Sequence, residues 1–408
     1  MPSDIALREK LRALKGVPNA APPIGSPPVP AGTSGPTLSD QVQRRRVSRP
    51  HEPQNIDQLA QTLDAVAVAP GVLLREQVLP LTHRHGAVAL GDGLTADMDR
   101  IADEAGLAPH ELLFIDTETT GLAGGTGTLP FLVGVAQFTV SGIRVRQYLL
   151  TGFSGEAAML EQLCALLPAA APLVSFNGKS FDVPLLSTRL RLSRMADVMI
   201  ARPHVDLVHI TRRAYGSAWP DCRLVTAEQR LLEFVREGDI SGAEMPQVWF
   251  DFVRFNHTKK LQAVLQHNFW DVLTMVALLP RLAAALTAPA EVGADVWRVA
   301  KHTLRRSGDA AAQQQLQQGR DHLTWQGALE LARLHRRRGE HEDAAQIWSH
   351  WAERGCVEAI EHLAKHLEHV QGDYAAALMW TQRLLAAQPG NASHVTRQTR
   401  LQRRLAVR

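Results

Sequence analysis

The chain has 408 residues, 45% of them hydrophobic, a formal net charge of +3 and three cysteines. That length accommodates two or three domains, and Cys164, Cys222 and Cys356 lie too far apart for a CxxC pair, which excludes a cysteine-based zinc site and suits a reducing, cytoplasmic setting. Asp4 to Lys15 is charged rather than apolar, and Pro168, Pro172 and Arg281 interrupt the most apolar runs, so neither a signal peptide nor a membrane span is expected.

Residues 1–50 hold eight Lys/Arg against three Asp/Glu, and 17–37 are rich in Pro, Gly, Ala and Ser; this reads as a disordered basic segment. Residues 51–109 form a small extension with a hairpin from about Leu73 to Leu90. Its His83 and His85 lack a third histidine or a cysteine nearby, so they read as a polar turn rather than a metal site.

Residues 110–287 give an α/β pattern. Glu111–Ile115, Phe131–Val140 and Ile143–Leu150 are strand-like, with Ser141-Gly142 as the turn between the last two. A helix Glu156–Leu167, a strand Leu173–Phe176, a helix Pro184–Leu192 and a strand Val205–Ile210 follow. Helical periodicity resumes over Leu224–Val235, Met245–Phe255 and Leu261–Leu286, the last one long helix or a pair broken at Pro280. The order βββαβαβ predicts a mixed sheet flanked by helices.

Residues 292–390 differ in kind. Leu331, Gly339, Glu340 and Ala344 align with Leu363, Gly372, Asp373 and Ala377, and Trp297 with Gly308-Asp309 opens a weaker copy. Helix, turn, helix at this period resembles tetratricopeptide repeats, which bind protein surfaces. Residues 391–408 are a basic tail with five Arg and no acid. Each end therefore carries +5 and the body between them 3 − 10 = −7, a distribution that fits contact with a polyanion by the ends and acids kept for a metal.

Three motifs carry chemistry. Asp116 and Glu118 end the run Leu112–Ile115, and the two-residue period of a strand puts both on one face. Such a pair repels itself unless a hard cation such as Mg²⁺ or Mn²⁺ binds, although a solvated turn explains it equally well when taken alone. Asn177-Gly-Lys-Ser-Phe-Asp182 follows a strand, so that Asp182 opens the next helix. His267 and Asp271 share a helical face. Asp206 is a weaker fifth carboxylate, read as structural.

In that order and on those elements, the motifs resemble the DnaQ-like (DEDD) 3′–5′ exonuclease superfamily of the ribonuclease H-like fold. Asp116-Thr-Glu-Thr-Thr-Gly-Leu-Ala-Gly-Gly-Thr-Gly-Thr128, Asn177-Gly-Lys-Ser-Phe-Asp182 and His267-Asn-x-x-Asp271 look more closely like the YprB-type ribonuclease H-like proteins, which similarly carry tetratricopeptide-like helices. The resemblance spans about residues 70–390. It implies a two-metal phosphodiesterase: Asp116, Glu118, Asp182 and Asp271 hold two Mg²⁺ or Mn²⁺ ions, and His267 is the general base. His267 stands four residues before Asp271, whereas the histidine branch of the superfamily places it five before. The Gly121–Thr128 loop lacks the Lys of a Walker motif. Its glycines would admit a substrate backbone, with Leu122 against the terminal base and Thr119, Asn177, Lys179 and Asn268 as further substrate contacts. The expected partner is single-stranded nucleic acid, DNA or RNA, with a protein on the repeats and no membrane. A non-catalytic nucleic-acid-binding adaptor and a structure-selective endonuclease are the competing readings.

Overall fold

The computed structural model describes residues 55–121, 127–168, 171–200 and 202–407. The basic segment 1–50 and Leu122 lie outside these described residues.

The seven-stranded sheet is built from β1 (Val66–Ala69), β2 (Val72–Leu79), β5 (Leu113–Thr119), β6 (Pro130–Thr139), β7 (Gly142–Leu150), β8 (Leu173–Ser175) and β9 (His204–Asp206), in the order β1-β2-β7-β6-β5-β8-β9. Neighbours from β1 to β5 run antiparallel; β8 and β9 join β5 in parallel. The mixed sheet is therefore as the element order predicted. The hairpin expected within 73–90 is different. Val72–Leu79 pairs along its whole length with β7 and widens the main sheet. Only β3 (Arg84–His85) and β4 (Val88–Ala89) form a separate two-strand ladder. His85 is buried there and its Nε2 lies 2.8 Å from Thr274 Oγ1, so it is a core histidine rather than part of a polar turn.

The helices of this part are α1 (Ile56–Thr62), α2 (Met98–Ile101), α3 (Glu156–Leu166), α4 (Asp182–Leu192), α5 (Leu207–Tyr215), α6 (Leu224–Ala227), α7 (Met245–Phe255) and α8 (Leu261–Thr287). One core lies between the sheet and α8 and contains Phe114, Phe138, Val272, Met275 and Val276. The other lies beneath α3, α4 and α7 and contains Ile115, Phe131, Leu160, Leu186 and Trp249. Alternation along β5 sends Phe114 to the first and Ile115 to the second, so the strand is buried on both faces.

Two sequence expectations shift, and a choice left open at Pro280 is decided. The predicted strand Val205–Ile210 stops at Asp206, whose side chain accepts the Val208 amide and caps α5 instead. The helix expected over Leu224–Val235 turns at Glu228–Leu232 into a π-type turn ending at Glu233 in the left-handed region. α8 runs unbroken through Pro280 for 27 residues. By length and composition it could cross a bilayer, yet it is mostly buried as the central core helix, which accounts for its apolar run.

Beyond it come α9 (Val296–Gln318), α10 (Trp325–Arg337), α11 (His341–Glu353), α12 (Val357–His366), α13 (Tyr374–Ala387) and α14 (Ala392–Ala406). Gly339 and Gly372 both take positive φ (+78° and +67°) at the α10–α11 and α12–α13 turns, and Ala344 and Ala377 are fully buried where each second helix begins. Gly308, with φ +82°, kinks α9 at the place aligned with those turns. The basic residues 392–406 are helical.

Candidate active site

β5 continues past its apolar stretch to Thr119, so Asp116 and Glu118 are held by sheet pairing rather than by a loop, opposite Gly134 and Leu132 of β6. Both turn to the α8 face. Thr117 turns the other way, and its hydroxyl donates to the carboxylate of Asp182 at the start of α4. One strand thus carries two acids and aims a third.

Asp116 is braced from α8. Asn268 Nδ2 donates to Asp116 Oδ2 at 2.8 Å, and Asn268 Oδ1 accepts from Gln147 Nε2 at 2.9 Å. Gln147 also donates to Leu265 O at 2.7 Å. Gln147, Gly134 and Asp116 stand in register across β7, β6 and β5. Any Cβ on Gly134 would come within 2.2 Å of Asn268 Oδ1, so glycine is what lets the amide lie over the sheet. Asn268, expected as a substrate contact, is fully buried and supports Asp116 from below.

The Asn177–Asp182 turn is held by Asp206. Its Oδ1 accepts the Asn177 amide at 2.6 Å and its Oδ2 the Lys179 amide at 3.0 Å. Asn177 has φ +72°, and Gly178 packs so close to Ser175 that a Cβ would lie 2.4 Å from Ser175 Oγ. Asp206 is structural, as the sequence suggested. Lys179 is exposed and contributes its amide to the turn; Asn177 and Thr119 border the pocket.

α8 supplies Asp271 and His267, whose Nε2 lies 3.5 Å from Asp271 Oδ2. Around them is a network that the sequence reading missed. Arg236, with only 4% of its side chain exposed, pairs with fully buried Glu228 at 2.6 Å, with Asp239 at 3.2 Å and with Asp271. Thr274 donates to Glu228, and the guanidinium lies 5.9 Å from the centre of the Trp270 ring. Asp239 Oδ1 lies 2.7 Å from His267 Nδ1. Nothing in the spacing of Glu228, Arg236 and Asp239 marks them; Glu228 falls within the helical pattern Leu224–Val235, and Arg236 and Asp239 follow it as ordinary charged positions.

Asp116, Glu118, Asp182, His267 and Asp271 all border one open pocket of about 310 Å³, walled on its apolar side by Phe176, Phe181, Leu185, Met245 and Pro246. Ligand atoms of Glu118, His267 and Asp271 lie within 4.8 Å of one another. Burial, then repulsion from Asp271, Glu118 and Asp182, holds the Asp116 carboxyl well above the usual range, against the pull of the Asn268 hydrogen bond. Glu118 is raised likewise by burial, Asp271 and Asp182. Asp182 is pushed up to about 6 by burial, with the Thr117 hydrogen bond opposing. Burial works against the Arg236 charge, but Asp271 and Glu228 outweigh it and hold the guanidinium more firmly protonated than usual.

Residues 113–283 match the RNase_H_2 model of the ribonuclease H superfamily. The uncharacterized protein YprB of Bacillus subtilis (strain 168) is 29% identical over 341 residues, 77% of this chain and 80% of that protein. Among solved structures, the family B DNA polymerase from the hyperthermophilic archaeon Pyrobaculum calidifontis overlaps 50% of this chain at 18% identity and a TM-score of 0.34, and the match spans 30% of that polymerase. The span similar to the ribonuclease H superfamily is the one that holds the four acids.

Proposed function

We propose that this protein is a metal-dependent nuclease, a 3′–5′ exonuclease acting on single-stranded ends. The observation that carries the reading is the meeting of Asp116, Glu118, Asp182 and Asp271 from β5, α4 and α8 at one open pocket, where burial pushes the carboxyls of Asp116, Glu118 and Asp182 upward and repulsion from neighbouring acids adds to it at Asp116 and Glu118. A protein that binds nothing there gains no stability from such crowding; perturbed acids in a cleft are a mark of function.

The donor set fits hard divalent cations such as Mg²⁺ or Mn²⁺, which take carboxylate oxygens and relieve the repulsion. Two ions held by the four acids would supply charge neutralisation at a phosphodiester and a more acidic water. The chain's own groups do the remainder. Asn268 and Thr117 keep Asp116 and Asp182 aimed. His267 accepts the proton of the attacking water. Phe181, 53% exposed at the rim, offers a face on which a base can stack.

The α10–α13 pairs support a tetratricopeptide-like array with a protein partner, and the three unpaired cysteines are consistent with a cytoplasmic setting. The test is degradation of 5′-labelled single-stranded DNA and RNA with Mg²⁺ or Mn²⁺ by wild type, Asp116→Asn and Asp271→Asn. The reading expects a ladder shortening from the 3′ end, lost in both variants. Equal degradation by all three proteins sinks it; cutting of circular strands replaces exonuclease with endonuclease.

A further inference from the structure

We infer that Asp239 is the positioning residue of His267, fixing the imidazole with its hydrogen on Nδ1 and presenting a bare Nε2 to the carboxylate cluster. The inference rests on the reading of His267 as the base of the proposed nuclease.

The contact is short and the partner is rigid. Nδ1 of His267 lies 2.7 Å from Asp239 Oδ1, both side chains being mostly buried (14% and 20% exposed). Asp239 is held at both oxygens: the Ile240 amide donates to Oδ1 at 2.8 Å, and Arg236 Nη1 lies 3.2 Å from Oδ2. Arg236 is in turn clamped by Glu228 and Asp271. A carboxylate oxygen only accepts, so the hydrogen of this bond sits on Nδ1. Which nitrogen of a histidine is bare is set by the bond that the other one makes. Arg236 Nη1 is 3.3 Å from the same Nδ1, but there a donor faces a donor, and the shorter Asp239 contact decides the tautomer.

Nε2 lies 3.5 Å from Asp271 Oδ2, longer than a normal hydrogen bond and so no rival to the 2.7 Å Asp239 contact, and it stands in the same group of ligand atoms as Glu118. A lone pair at that place can take a proton from a water held between the acids. This also accounts for the four-residue spacing. On a helix, that spacing puts His267 on the Asp271 face but leaves the ring free to turn about its side-chain torsions. A residue from the loop before α7, outside the helix altogether, supplies the missing aim.

The experiment uses the full chain, with diamagnetic Mg²⁺ for the spectra and with Mn²⁺ and a single-stranded oligonucleotide for kinetics and metal binding. Long-range ¹H–¹⁵N spectra of ¹⁵N-histidine protein, with the His267 signal identified by its loss in His267→Gln, are expected to show the Nδ1-hydrogen tautomer. Asp239→Asn is expected to shift that signal toward the other tautomer, and to lower kcat about 10- to 100-fold, as loss of an orienting partner does. KM and Mn²⁺ affinity, followed by electron paramagnetic resonance, should hold steady. In a His267→Gln background, Asp239→Asn should cost nothing more. Asp239→Glu, which keeps a carboxylate with two acceptor oxygens where Asn offers one oxygen and a donating amide, should recover part of the loss. An Nε2-hydrogen tautomer in wild type overturns the inference whatever the activity. Loss of activity in His267→Gln but not in Asp239→Asn overturns it while the base reading stands. Full activity in His267→Gln removes the base reading, and full activity in Asp116→Asn removes the nuclease reading. Weakened Mn²⁺ binding in Asp239→Asn makes Nε2 a metal ligand and overturns the inference too.

Discussion

Asn268 donates its amide hydrogen to Asp116 across the interface between the central helix and the sheet, at 2.8 Å, from a position with no solvent exposure. Its neighbour His267 points into the pocket instead. Two successive helix residues thus divide the work, one bracing the first acid from below and the other facing the site.

That bracing depends on a missing side chain. Gly134→Ala would drive a methyl group into Asn268 Oδ1, so we expect a loss of about 1–3 kcal/mol in urea denaturation, the usual cost of overpacking, together with lowered nuclease activity. Gly152→Ala, where a Cβ meets nothing within 4 Å and the backbone is extended, should stay within about 0.5 kcal/mol. Equal losses in the two variants would contradict the arrangement.

Arg236 neutralises a carboxylate that has no water to turn to, since Glu228 is 0% exposed. Arg236→Leu should therefore cost about 3–5 kcal/mol, the penalty for leaving a buried charge unpaired. Adding Glu228→Gln should recover a large part of it, because the stranded charge is then gone. A double-mutant cycle by chemical denaturation checks this, and strictly additive losses would refute the pairing.

Metal-free protein should lose stability as pH rises. The Asp182 carboxyl has an ordinary value of 3.8 and is raised to about 6 in the fold, so between those values the folded state binds more protons than the unfolded chain. Stability then falls as pH climbs through that window, by about 3 kcal/mol from this group, with Asp116 and Glu118 acting in the same direction. Denaturation in EDTA at pH 5 and pH 7.5 measures the slope, and Asp182→Asn should flatten it. Mg²⁺ should raise the melting temperature more at pH 7.5 than at pH 5, where protons compete for the acids. A metal-free protein that is more stable at pH 7.5 would count against the crowded-acid site.

The acids themselves were legible in the sequence. A period of two places Asp116 and Glu118 together on any strand, and a period near four places His267 with Asp271 on any helix, so local geometry alone predicts those pairings. The turn Asn177–Asp182 and the helix pairs with Gly339 and Gly372 at their bends were likewise written locally, because a left-handed backbone selects Asn or Gly. Val205–Ile210 misled because an apolar run suits strand and helix alike, and the capping bond from Asp206 chose between them.

What the chain order could not determine was which residues meet from afar. Glu228, Arg236 and Asp239 look like ordinary charged positions until a π-type turn and a loop carry them to α8. Asn268 looks like a substrate contact until Gly134 opens the space above the sheet for it. Periodicity reports which face a side chain takes on its own element. Which charge is buried, which amide is spent and which histidine nitrogen is bare depend on partners that only folding brings within hydrogen-bond reach.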